Sequence, residues 1–146
     1  MTIEQIVNKS ARRGLMVPVA QQLRTALSRP RADRAKAAFI VDLMALATGI
    51  AAGDIASPTR CHARAARARQ VAMYLAYVAW QWPLARVGAA FGRDRTTAGY
   101  ACRLVEDLRD DELFDARLDR LEACLRAAPE PHEVRMLCTN LVEMAV

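Results

Sequence analysis

Asp94, Arg95, Thr96 and Thr97 bring together an acceptor, a fork of donors and two side chains that pair a hydroxyl with a methyl. Those are the chemistries that read base-pair edges in a DNA groove. They stand inside the run from Trp82 to Tyr100, which reads as a short helix, a glycine-containing break and a second helix opened by Asp94. Val87 and Phe91 lie four apart and can bury one face of the first helix. Gly92 supplies the unusual backbone angles of a tight turn. Asp94 is a suitable N-cap for the amide of Thr96 or Thr97. A short helix, a tight turn and a polar-fronted second helix together make a helix-turn-helix, whose second helix enters the major groove.

The elements that must hold this motif follow from helical spacing. Apolar residues recur every three or four positions and no run alternates like a half-buried strand, so an all-α fold is expected. Residues 3–13 form a first helix stopped near Gly14, and Pro18 opens a second that Ser28-Arg29-Pro30-Arg31 breaks. A stronger helix runs from Ala32 to Thr48, with Phe39, Ile40, Leu43, Met44, Leu46 and Ala47 as its apolar face. A short helical turn follows at Asp54-Ile55-Ala56-Ser57-Pro58. Residues 62–80 make a long central helix with Val71, Tyr74, Leu75 and Val78 in the core. Glu112 to Ala127 carries Phe114, Leu118, Leu121 and Leu125 on one stripe. Beyond Pro129 and Pro131, the residues Val134, Leu137, Cys138, Leu141, Val142 and Ala145 mark a short amphipathic helix, either docked on the core or offered to a partner.

Charge is divided along the chain. Residues 1–103 hold 16 of the 21 basic side chains and only 5 of the 16 acidic ones. A basic body with an acidic end suits an anionic partner held on one face. Arg60, Arg64, Arg67 and Arg69 crowd the start of the central helix, where cations oppose the macrodipole. A phosphate backbone would relieve that conflict; the plainer alternative is a merely soluble helix start. The leader is also basic, through Lys9, Arg12, Arg13, Arg24, Arg29, Arg31 and Arg34. It is either a solvated helical pair or a second contact with DNA or protein. No stretch is long and apolar enough to span a membrane, and Met1-Thr2-Ile3-Glu4-Gln5 lacks the features of a signal peptide, so a cytoplasmic, nucleoid-associated protein is expected. Cys61, Cys102, Cys124 and Cys138 form no CxxC pair, and the adjacent Cys61-His62 cannot fill a tetrahedral site alone. Neither a metal nor another cofactor is expected.

The run Phe91-Gly92-Arg93-Asp94-Arg95-Thr96-Thr97 resembles the signature of the C-terminal DNA-binding domain of the bacterial replication initiator DnaA. Upstream, Ala66 to Ala76 is similar to the basic helix that opens that domain. Downstream, Ala101 to Arg109 resembles the end of its recognition helix. The resemblance covers roughly residues 35 to 125. It implies a DnaA-type helical bundle at residues 35–128 and leaves both ends unexplained; their own charge and apolar patterns make residues 1–34 a basic helical extension and 129–146 a C-terminal amphipathic helix. Carried over residue by residue, it implies that Arg67 enters the minor groove while Asp94, Arg95 and Thr96 read bases in the major groove. Asp accepts from a cytosine amino group, Arg pairs with guanine and a Thr methyl packs on thymine. Arg69, Gln70, Leu84, Thr97 and Tyr100 fall at positions that resemble phosphate contacts, and Arg64 and Arg93 add backbone charge. Arg95 stands where the family carries histidine, Ala85 where it carries proline, and the turn is one glycine shorter.

The chain shows no G-x-x-x-x-G-K-[ST] loop, so it is not expected to act as an initiator by itself. The resemblance implies a partner in double-stranded DNA and a regulatory role. One reading is a transcription regulator working with a protein partner through its terminal helices, of the kind that activates gene-transfer-agent or phage-like genes. Another is a replication regulator competing for DnaA-box-like sites. A third is a protein-interaction module whose helix-turn-helix is only a scaffold. Cys61 or Cys102 with His62 or His132 provide a nucleophile and base on paper, but in no catalytic context. An enzyme is therefore not expected.

Overall fold

The computed structural model describes residues 17–130 and the positions Glu133, Cys138, Leu141 and Met144, with side chains described from Arg29 onward. The expected helix over residues 3–13 lies outside the described residues. Among those described there are six helices and no strand: α1 Val17–Thr48, α2 Ala52–Ile55, α3 Ala63–Ala79, α4 Leu84–Ala90, α5 Arg95–Leu108 and α6 Glu112–Ala127. The chain divides into two units, Met1–Asp33 and Arg34–Val146. The first is helical over its described part, from Val17 onward.

The break expected at Ser28 to Arg31 does not occur, because α1 runs through Pro30. Proline removes one amide from a helix and strains the preceding turn. Its fixed φ is nevertheless helical, and here good helix formers flank it on both sides. The face of α1 also differs from expectation. Ala37, Ile40, Val41 and Met44 are buried, whereas Phe39 is partly exposed and Leu46 is 85% exposed. Ala37, Ile40, Val41 and Met44 follow a single i, i+3, i+4, i+7 stripe, and Leu46 falls on the far side of the helix.

The second unit is organised around α3. Its residues Val71 to Ala76 are all buried, so it is packed on every side rather than on one stripe. Small residues make this possible: Ala65, Ala68, Ala72 and Ala76 let neighbouring helices approach closely. Ile40 and Met44 of α1, Val87 of α4, Ala98, Ala101 and Val105 of α5, and Leu118 and Leu125 of α6 complete the core. Phe114 and Leu121 pack partly buried against it, as the α6 stripe required. Trp82, in the link before α4, is buried; it lies 5.1 Å from Trp80, and the Arg86 guanidinium sits 4.2 Å over its ring.

A charged cluster closes the side where α3, α5 and α6 meet. Arg109, the C-cap of α5, donates to Asp115 at 2.5 Å, to Glu122 at 2.6 Å and to Asp119. The Tyr74 hydroxyl donates to Glu106 and accepts from Arg109 at 3.2 Å. Glu122 is buried and takes a second cation, Arg126, at 3.1 Å. Burial, and then the hydrogen bond to Glu106, push the Tyr74 phenol up to about 12. The acids of this cluster are thus paired with arginines of the same C-terminal segment.

At the C-terminal end, Glu133, Cys138, Leu141 and Met144 are helical and exposed. Cys138 and Leu141, expected on an apolar face, are exposed, while Val134, Leu137, Val142 and Ala145 lie outside the described residues. Among the described residues no helix is long and apolar enough to cross a membrane.

Candidate nucleic-acid interface

The turn between α4 and α5 is built from backbone contacts that only small residues permit. Gly88 is buried in α4, and a Cβ there would lie 2.8 Å from the carbonyl oxygens of both Arg93 and Asp94. That close approach lets the Arg93 amide donate to the Gly88 carbonyl at 2.8 Å and fixes how α5 leaves α4. Gly92 has φ +65°, the left-handed conformation expected of it. Asp94 then caps α5, its Oδ1 accepting from the Thr97 amide at 2.6 Å. This bond holds the exposed Asp94 carboxyl below its ordinary range. The stability it lends α5 is present above the ordinary carboxylate pKa and is lost as pH falls through the lowered value.

One face of α5 enters the core through Ala98, Gly99, Ala101, Cys102 and Val105. Burial, and next the Glu106 charge, push the Cys102 thiol up to about 11, so it is an inert core thiol. The opposite face presents Arg95, Thr96, Thr97, Tyr100 and Arg103 to solvent. Thr96, Tyr100 and Arg103 follow the i, i+4, i+7 spacing of one helical face. The three expected base readers, Asp94, Arg95 and Thr96, therefore stand together and exposed at the head of the helix.

Beside them runs the start of α3. Its N-cap is His62, whose Nδ1 accepts from the Ala65 amide at 3.2 Å, and its first turn holds no acidic residue. Arg60, Arg64 and Arg67 are exposed there. A groove of about 470 Å³ separates this helix start from α5, and Arg60, Arg67, Gln70, Arg93, Thr97 and Tyr100 all line it. Residues about 30 positions apart in sequence thus form one basic cleft. Arg64 lies on the other side of α3, its guanidinium 3.4 Å from the Thr48 carbonyl. Leu84 is the first residue of α4 and is partly buried, so only its backbone amide can serve an anion.

Two expected phosphate ligands have other employment. Arg69 is buried; its Nε donates to the Ile55 carbonyl at 2.6 Å and its Nη2 to the Asp54 carbonyl at 3.0 Å. Burial first, then the Arg93 charge, lower its pKa. Arg93 donates to the carbonyls of Pro58 at 2.6 Å and Ser57 at 2.5 Å. Together the two arginines fasten the end of α2 to α3 and the segment after it to the turn. The residue types alone gave no sign of this, because the accepting carbonyls lie 14 to 36 positions away. Conversely, Arg103 joins the exposed face of α5 without having been expected there; its spacing from Thr96 was the available signal.

Asp54, Cys61 and His62 place three potential donor atoms within 4.8 Å of one another. His62 Nδ1 is already the acceptor of the α3 cap, which puts the ring proton on Nε2, the nitrogen 3.5 Å from Asp54. A metal ion on Nε2 would have to displace that proton and the cap with it. The cluster is a helix start steadied by an Asp–His contact.

Residues 37–105 match the family described as bacterial dnaA protein helix-turn-helix. This part of the chain is homologous to the C-terminal helix-turn-helix domain of DnaA. The chromosomal replication initiator proteins DnaA of Tropheryma whipplei strains Twist and TW08/27 are each 34% identical to it over 90 residues, 62% of this chain. The chain spans only 19% of the length of either relative. No solved structure matches. The matched segment takes in most of α1 after Pro30 and continues into α5, ending at Val105. The described residues form an all-α bundle, and the segment that matches carries a DnaA-type helix-turn-helix, which implies DNA binding.

Proposed function

We propose that this chain is a sequence-specific reader of double-stranded DNA that acts as a transcription regulator. Asp94, Arg95 and Thr96 read base edges from the first turn of α5, and Arg67 reaches the adjacent minor groove. Gln70, Thr97, Tyr100, Arg64 and the Leu84 amide hold the phosphates on either side. Arg69 and Arg93 shape the cleft and add field, without being ligands themselves. The observation that carries this reading is the exposed polar head of a capped α5 beside an arginine-lined cleft with no carboxylate in its wall. Phosphates position such a domain, and groove contacts give it sequence choice.

The DnaA relatives favour a second reading, competition with an initiator for DnaA-box-like sites. Genome-wide occupancy by crosslinking and sequencing separates the two. Peaks at promoters, lost on Arg95→Ala, support transcription control; peaks confined to replication sites support the competitor. Peaks that persist unchanged in the Arg95→Ala protein would remove α5 as the reader.

A further inference from the structure

A second cavity lies on the other flank of α3, between the end of α1 and α6. It is an open groove of about 760 Å³. Its wall is mostly apolar, and Met44, Ile50, Val71, Phe114 and Leu118 form it. Four arginines rim it: Arg64 and Arg67 from α3, and Arg117 and Arg120 from α6. All four are exposed, and none has a carboxylate partner among the described residues. Elsewhere a single arginine at the end of α5, Arg109, gathers three carboxylates of α6, so acids within reach of this domain are used where they are needed. An apolar trough with unneutralised cations on both banks is complementary to one kind of partner.

We propose that this groove binds an acidic amphipathic helix of a partner protein. Helices wall the groove on both sides, and the described residues offer no sheet edge for an extended peptide to join. A helix laid along it would seat apolar anchors at i, i+4 and i+7 on the floor and set Glu or Asp against the arginines. Charge pairing of this kind governs partner choice and orientation more than raw affinity. Arg67 lines both this groove and the DNA cleft. A docked acidic helix therefore draws Arg67 away from DNA, and partner and operator are antagonists. That last consequence rests on the DNA reading above; the docking itself does not.

Cys124 gives the test a local reporter, since it is exposed and lines the groove, while the exposed Cys61 does not. The probe is a synthetic helical peptide with Leu at i, i+4 and i+7 and Glu at the flanking positions. Alkylation of each cysteine is followed by mass spectrometry on the whole chain. The expected result is slower alkylation of Cys124 with Cys61 unchanged, no protection by the same peptide with Lys in place of Glu, and a several-fold weaker effect in Arg117→Ala/Arg120→Ala. Equal protection by the Glu and Lys peptides, or by neither, overturns the proposal. So does protection by phosphatidylglycerol vesicles but not by the peptide, which would make the occupant a lipid surface. Protection that grows with protein concentration alone would make it a second copy. A separate anisotropy titration on duplex DNA reads the antagonism. Cys124 protection without any change in DNA affinity would leave docking intact and sink only the coupling.

Discussion

Two arginine-rich regions of this domain solve opposite problems with the same side chain. At the meeting of α3, α5 and α6, Arg109 spends its donors on Asp115, Asp119, Glu122 and the Tyr74 hydroxyl. At the start of α3, Arg60, Arg64 and Arg67 stand exposed, and the first turn of the helix supplies no acid. A cation closed on internal carboxylates is scaffold, because its removal strands buried charge. A cation left open opposes the helix dipole at a small standing cost, which an incoming anion would relieve. Arg69 and Arg93 lie between these cases, closed on backbone carbonyls and so committed to shape. Sequence position and residue type are the same in kind across all three; only the partner distinguishes the roles.

The largest expected effect falls on the closed region. Arg109→Met should cost about 3 kcal/mol of stability in chemical denaturation, since Glu122 stays buried with Arg126 alone, while the preferred DNA sequence is unchanged. A changed sequence preference would erase the distinction between the two regions. On the open side, Arg95→Ala should lose about 2 kcal/mol of discrimination between matched and mismatched duplexes while leaving the fold intact. Asp94 needs a gentler probe, because Asp94→Ala removes the cap of α5 together with any base contact. Asp94→Asn keeps a capping oxygen and alters only what the groove meets.

Smaller effects sharpen the comparison. Gly88→Ala sets a methyl against two carbonyl oxygens; an overpacking cost of about 2 kcal/mol less the roughly 1 kcal/mol gained in helix propensity leaves about 1 kcal/mol. Because the angle of α5 changes with it, DNA affinity should fall by more than stability does. Arg64→Ala should weaken matched and scrambled duplexes alike and lower the salt slope of binding by about 1. A further effect concerns Tyr74, whose raised pKa means the folded state keeps its proton after the unfolded state has lost it. Stability should therefore fall as pH rises from about 10 to about 12, and this part of the fall should be absent in Tyr74→Phe.

What the sequence made legible was local. The bounds of α3 and α6 follow from apolar spacing, and the start of α5 from a cap that lies three residues from the amide it satisfies, as Asp94 does. Gly92 was readable for the same reason. The passage of α1 through Pro30 was not, because a proline signals a cost without saying whether the flanking helix absorbs it. Nor were the commitments of Arg69, Arg93 and Arg109, which require segments far apart in sequence to meet. Leu46 misled because composition alone does not say which side of a helix faces the core. The exposed head of α5 was thus readable, and the frame that holds it was not.

The central claim is that the first turn of α5 reads base edges. Selection of bound duplexes from a randomised library, run with the unaltered protein and with Asp94→Asn/Arg95→Ala, tests it most directly. The account predicts one enriched motif for the unaltered protein and loss of preference at adjacent base pairs for the variant, with general DNA affinity retained. An identical motif from both proteins, or no motif from the unaltered one, would contradict it.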